Sequence, residues 1–122
     1  MDAGEDASRE QLRLWLQREQ VQGRDVIRRI NRQSRALGTA THGLARFTVR
    51  MGLVEATGSA AKWTRRIHDG LIRWGEGDAA QAFAAAPPFA ATDPAPDDCE
   101  RLSDWVQDRL AVLADLLARQ PS

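Results

Sequence analysis

Apolar residues recur every three or four positions along most of the chain, and this spacing restricts the fold more than any other feature. Leu102, Trp105, Val106, Leu110, Leu113, Leu116 and Leu117 make one helical stripe, with Asp98, Asp104, Asp108 and Asp115 pointing away from it. Ala60, Trp63, Ile67, Leu71 and Trp74 make a second stripe with a Trp towards each end, while Lys62, Arg65, Arg66 and Arg73 take the other faces. Leu44, Phe47, Met51 and Val54 make a third, with Ala45, Val49 and Leu53 on an adjoining face. Because little on that helix looks solvated, it is expected to be the most buried. Leu12, Leu16, Val26, Ile30 and Leu37 keep the same spacing through Gly23. Residues 8–37 therefore read either as one helix or as two divided at Gly23.

Local signals bound these segments. Ser8 and Gln11 have the spacing of a capping box, Gly38 suits a helix terminator, and Thr39 or Thr41 can cap the next helix. Thr57-Gly58-Ser59 reads as a break and recap. Asp78 can cap a short Ala-rich turn, and Pro87-Pro88 ends it. Phe89 to Pro96 then reads as extended linker, with Phe83 and Phe89 as candidate pins to the core. Asp97 with Glu100 three residues on reads as the cap of the last helix.

The expectation is an all-α protein: a compact helical bundle of four to five helices near residues 8–37, 40–55, 59–74 and 97–119, with a Pro/Ala-rich linker before the C-terminal helix. Composition agrees, since the chain lacks Tyr and favours Ala, Leu, Arg, Gln and Asp over the β-branched and aromatic residues of strands. At 122 residues it reads as a single domain. Within it lie an acidic tail (1–7), a basic helical core (8–74), a Gly/Ala/Pro-rich linker (75–96) and an acidic amphipathic helix (97–119).

The formal net charge of zero conceals a segregation. Residues 1–10 carry net −3, residues 11–73 net +9 and residues 74–122 net −6. The acidic C-terminal helix can neutralise the basic middle from within, or the basic middle can meet an external polyanion. Of the cations, sixteen are Arg and one is Lys62, and Arg grips phosphate or carboxylate through paired hydrogen bonds. Arg24, Arg28, Arg32 and Arg35 recur as one ridge with Arg29 beside it. Arg46, Arg50, Lys62, Arg65, Arg66 and Arg73 are possible extensions of a polyanion-binding surface.

Catalytic signals are sparse. There is no phosphate-binding loop, dinucleotide fingerprint, HExxH, CxxC or calcium-binding loop in the sequence. His42, His68 and Cys99 lie on separate segments, so neither a zinc site nor a Cys–His nucleophile pair is expected. Three carboxylates around Cys99, at positions 97, 98 and 100, oppose a thiolate. No catalytic, cofactor or metal-binding residue is nominated, and the chain is expected not to be an enzyme.

A helix-turn-helix in the pair 44–54 and 59–74 fails in both registers tried, because Val49 or Gly58 falls where the motif needs another residue type. No segment has the apolar length of a membrane span, and Val26, Ile27 and Ile30 give only a narrow face for a membrane surface. The acidic start of the chain does not resemble a secretory leader, and a single Cys points to a reducing, cytoplasmic setting. The resulting expectation is a non-catalytic interaction module that docks to a protein partner or to itself, four Trp being many for a chain of this size. The alternative is a helical subunit that binds nucleic-acid backbone through the Arg ridge.

Overall fold

The computed structural model of the protein describes residues 3–87 and 96–120. Its elements are α1 (Ala3–Thr39), α2 (Gly43–Arg73), the single-turn α3 (Gly77–Ala80), a 3₁₀ turn (Gln81–Phe83) and α4 (Pro96–Ala118), with no strand among the described residues. The chain is all-α, as its periodicity requires.

Three heptad-like seams hold it together. On α1 the inward positions are Leu12, Leu16, Glu19, Gly23, Val26, Ile30, Gln33 and Leu37, spaced alternately by four and three residues. On α2 they are Val49, Leu53, Ala56, Ala60, Trp63, Ile67 and Gly70, with Trp74 just past its end, and on α4 Cys99, Leu102, Val106, Arg109, Leu113 and Leu116, with Gln120 just past its end. This spacing keeps each seam on one side of its helix and lets side chains interdigitate with the neighbour. Glycines at the seams let Trp rings approach the backbone. A Cβ on Gly23 would lie 2.7 Å from Trp63 Cζ2 and 2.6 Å from Leu110 Cδ2, and a Cβ on Gly70 would run into Trp15. Gly23 thus meets Trp63, Gly70 meets Trp15 and Gln33 meets Gly52, which fixes α1 and α2 as an antiparallel hairpin. The pairings of Gly23 with Leu110, and of Ser34 with Cys99, run α4 antiparallel to α1 as well. α1 is therefore the central helix. The segment Gly77–Phe83 fills the space between α2 and α4, where Phe83 packs its ring edge-on to Trp63 at 5.9 Å. Arg109 Nε donates to the Ala82 carbonyl and fastens that turn to α4.

Several boundaries differ from the sequence expectation, each for a local reason. Gly23 does not divide α1, because its lack of a side chain is what the Trp63 contact needs. α1 starts at Ala3 rather than at Ser8. Ala, at positions 3 and 7, is the best helix former, so the helix starts upstream of the expected cap. Its C-terminus runs through Gly38 to Thr39, and the cap of α2 is neither Thr39 nor Thr41 but His42, whose Nδ1 accepts from the Ala45 N–H at 3.2 Å.

The expected break at Thr57-Gly58-Ser59 is absent, so 40–55 and 59–74 are one helix. Thr57 Oγ1 donates to the Leu53 carbonyl within the helix, and the α1-facing seam runs unbroken through Ala56 and Ala60. The cost of Gly58, about 1 kcal/mol against Ala, is smaller than the burial on either side of it. α2 instead ends where Gly75 adopts φ +78°. The Glu76 N–H reaches the Leu71 carbonyl at 2.8 Å and the Gly75 N–H the Ile72 carbonyl at 3.1 Å.

Part of the linker expected over 75–96 is structured: Gly77–Phe83 is helical with Ala80 and Phe83 buried. Glu76, not Asp78, stands before α3. Pro96 opens α4, a position where its missing N–H costs nothing, and this puts Asp97 inside the first turn instead of at the cap. Phe89 and the rest of residues 88–95 lie outside the described residues, as do 1–2 and 121–122.

Candidate functional site: an outward apolar stripe beside a basic ridge

The stripe Leu44, Phe47, Met51 and Val54, expected to be the most buried, is the most exposed apolar surface on α2. These residues are 74%, 49%, 44% and 41% accessible. The cause is geometric. The stripe has its own three–four–three spacing, and at 100° per residue it sits opposite the Val49–Leu53–Ala56 seam that packs on α1. α4 does not reach it. At 1.5 Å per residue α1 is about 55 Å long and α4 about 34 Å, and α4 lies along the part of α1 that ends near Ser34. Beyond that point, beside Leu44 and Phe47, the fold is a two-helix hairpin; further along α2, beside Met51 and Val54, α4 packs on α1 and leaves the outer face of α2 open.

The stripe has a charged border. Arg50 lies over the Phe47 ring at 5.4 Å, a cation–π contact, with Arg46 one turn before it and Glu55 one turn after. Glu55 makes no ion pair among the described residues.

The predicted polyanion-binding residues are also on the surface. Arg24, Arg28, Arg29, Arg32 and Arg35 are exposed along the outer side of α1, Arg46, Lys62, Arg65, Arg66 and Arg73 are exposed on α2, and Arg50 is half-buried. Two are engaged from α1: Arg28 pairs with Asp25, and Arg29 donates to Ser59 Oγ of α2 at 3.3 Å. Arg66 grips Glu19 with Nε at 2.7 Å and Nη2 at 3.0 Å, so it serves the α1–α2 contact and leaves the polyanion set. Glu19 is 5% accessible, and the paired hydrogen bonds offset the cost of holding a carboxylate there. On α4, Glu100, Asp104, Asp108 and Asp115 face outward, so the acidic helix lies beside the basic one with these acids directed to solvent.

A second hollow lies at the other end of the hairpin, lined by Leu14, Trp15, Arg18, Val21 and Trp74. Trp74, which its spacing puts on a core stripe, is only partly buried, and so is Trp15.

The residues weighed for chemistry stay apart. His42 caps α2, His68 faces Asp69 at 3.2 Å on the surface, and Cys99 is buried under α1. Burial pushes the Cys99 thiol up, helped by Asp98 and opposed by its hydrogen bond with Ser34, which leaves it a poor nucleophile at neutral pH. Arg109, stacked 4.1 Å over Trp105, has its pKa drawn down by burial against the pull of Asp108. Among the described residues no group of three or more His, Cys, Asp or Glu can hold a metal ion, and no helix is long and apolar enough to cross a membrane. The fusion of 40–55 with 59–74 also removes the helix pair that a helix-turn-helix would need. No protein-family model, curated protein or solved structure matches the chain.

Proposed function

We propose that the protein is a non-catalytic helical interaction module that docks to a protein partner or to itself through the outward face of α2. One observation carries the reading: four large apolar side chains in a single row, 41–74% accessible, on a helix whose opposite side is fully packed. A contiguous exposed apolar row with a charged rim is the kind of surface at which proteins dock. The single unpaired Cys99 supports a reducing, cytoplasmic setting for this role.

The reading is tested by Phe47→Asp and Met51→Asp in dilute solution. Surface substitutions move stability by about 0.5 kcal/mol or less, so both variants should melt with the wild type. A loss of about 3 kcal/mol or more, the cost of truncating a core aromatic, would mean that the stripe is interior.

A second reading is favoured by the exposure of Arg24, Arg28, Arg32 and Arg35 on one side of α1. In it the ridge follows a nucleic-acid backbone without reading sequence. Binding to generic RNA or DNA should then fall steeply as salt rises, and Arg28→Glu/Arg32→Glu should abolish it. Absence of binding at low salt removes this reading.

A further inference from the structure

We propose that the occupant of the outward stripe is a second copy of this chain, paired in parallel along α2. This rests on the docking reading above and names its partner. The stripe is itself a heptad seam. Leu44 and Met51 take the first core position of successive heptads, Phe47 and Val54 the second, and Gly58, with open space around it, the next first position. α2 is thus a helix with two seams on opposite sides, one filled by α1 and one empty.

Charge decides the orientation. In parallel two-stranded pairing, the residue just before the first core position of one helix faces, on the other, the residue five further along. Those residues are Arg50 and Glu55, so a parallel pair makes two reciprocal Arg50–Glu55 contacts about its twofold axis. An antiparallel pair in the register that matches Leu44 with Val54 and Phe47 with Met51 sets Arg50 against Arg50 of the second copy and leaves Glu55 without a cation. The other charge on this stretch, Arg46, lies off the seam and stays in solvent in either arrangement. The seam cannot extend far past Gly58, because Arg65 follows on the same side and the segment Ala84–Pro87 stands beside Ala61 and His68. About two heptads therefore engage, a fraction of the roughly 1,600 Å² of a standard interface, and the dimer is weak, with Kd in the micromolar range.

Sedimentation equilibrium of the full chain over concentration tests this. The weight-average mass should rise from 13.5 kDa towards twice that value. Phe47→Asp should hold it at the monomer. Arg50→Glu and Glu55→Arg should each weaken dimerisation about threefold to tenfold, and the double exchange should restore it. Met51→Cys in a Cys99→Ser background should oxidise readily to a disulfide-linked dimer, because only the parallel pair places residue 51 against its own copy.

A chain that stays monomeric up to about 500 μM, or single charge variants that dimerise like the wild type, overturns the proposal. For a monomeric chain, maleimide labelling of the same Met51→Cys variant separates two failures. Fast labelling means an open stripe that serves a different protein, so only the second-copy inference falls. Slow labelling means that the stripe is covered from within the chain, and the docking reading falls with it.

Discussion

Trp63→Ala is expected to cost about 3–5 kcal/mol, the largest single loss in the chain, and to lower the melting temperature of a domain this size by roughly 10–20 °C. Trp63 is 2% accessible and ties α2 to α1 and to the 3₁₀ turn. Its ring lies against Gly23 of α1, its Nε1–H donates to the Glu19 carbonyl at 3.0 Å, and Phe83 of the 3₁₀ turn meets it edge-on. Leu110 of α4 closes on the same glycine. Ala would leave a cavity where α1, α2 and the 3₁₀ turn join, and the surrounding helices are too constrained to collapse into it. Trp63→Phe, which keeps most of the volume and loses the N–H donor, should cost about 1–2 kcal/mol. Chemical denaturation with matched m-values is the measurement; a loss under about 1 kcal/mol for Trp63→Ala would show that the helices do not meet at this ring.

Gly23→Val should cost about 2–4 kcal/mol for the opposite reason, overfilling instead of vacancy. In most helix interiors replacing Gly gains up to about 1 kcal/mol of propensity, so a substitution that avoids Gly should help. At position 23 the new Cβ meets the rigid edge of Trp63 at 2.7 Å as well as the movable Leu110 methyl at 2.6 Å. Gly23→Ala should fall between wild type and Val, its propensity gain set against the displaced ring. Gly58→Ala is the internal control: its Cβ would meet nothing within 4 Å, so it should stabilise by about 0.5–1 kcal/mol. If Gly23→Val melts at or above the wild-type temperature, the interlock of α1 with Trp63 is wrong.

These two sites show what could be read in the sequence. The 3–4 spacing located α4, the Trp63–Leu71 core and the membership of Leu12, Leu16, Val26 and Ile30, because burial on a helix leaves a periodic trace. Gly23 was ambiguous, since a glycine that ends a helix and one that admits a ring are the same letter. Thr57-Gly58-Ser59 read as a break because Ser and Thr favour caps, yet inside α2 the Thr57 hydroxyl is satisfied by the Leu53 carbonyl. The larger miss concerns Leu44, Phe47, Met51 and Val54. Periodicity reports that a helix has an apolar row, not whether anything covers it. α2 carries two rows, and only the register of the hairpin, with α4 packed on α1 instead of α2, decides which is buried. The Arg24–Arg35 ridge was legible because charged side chains at helical spacing stay on the surface. The engagement of Arg66 by Glu19 was not, since it joins residues 47 apart in the chain.

The outward placement of the α2 stripe is best examined by methyl NMR with a soluble paramagnetic agent in dilute solution. The methyls of Leu44, Met51 and Val54 should relax as strongly as fully exposed groups, while those of Leu53, Ile67 and Leu71 on the same helix stay protected. Equal protection of both sets would place the stripe inside the fold and contradict the docking surface.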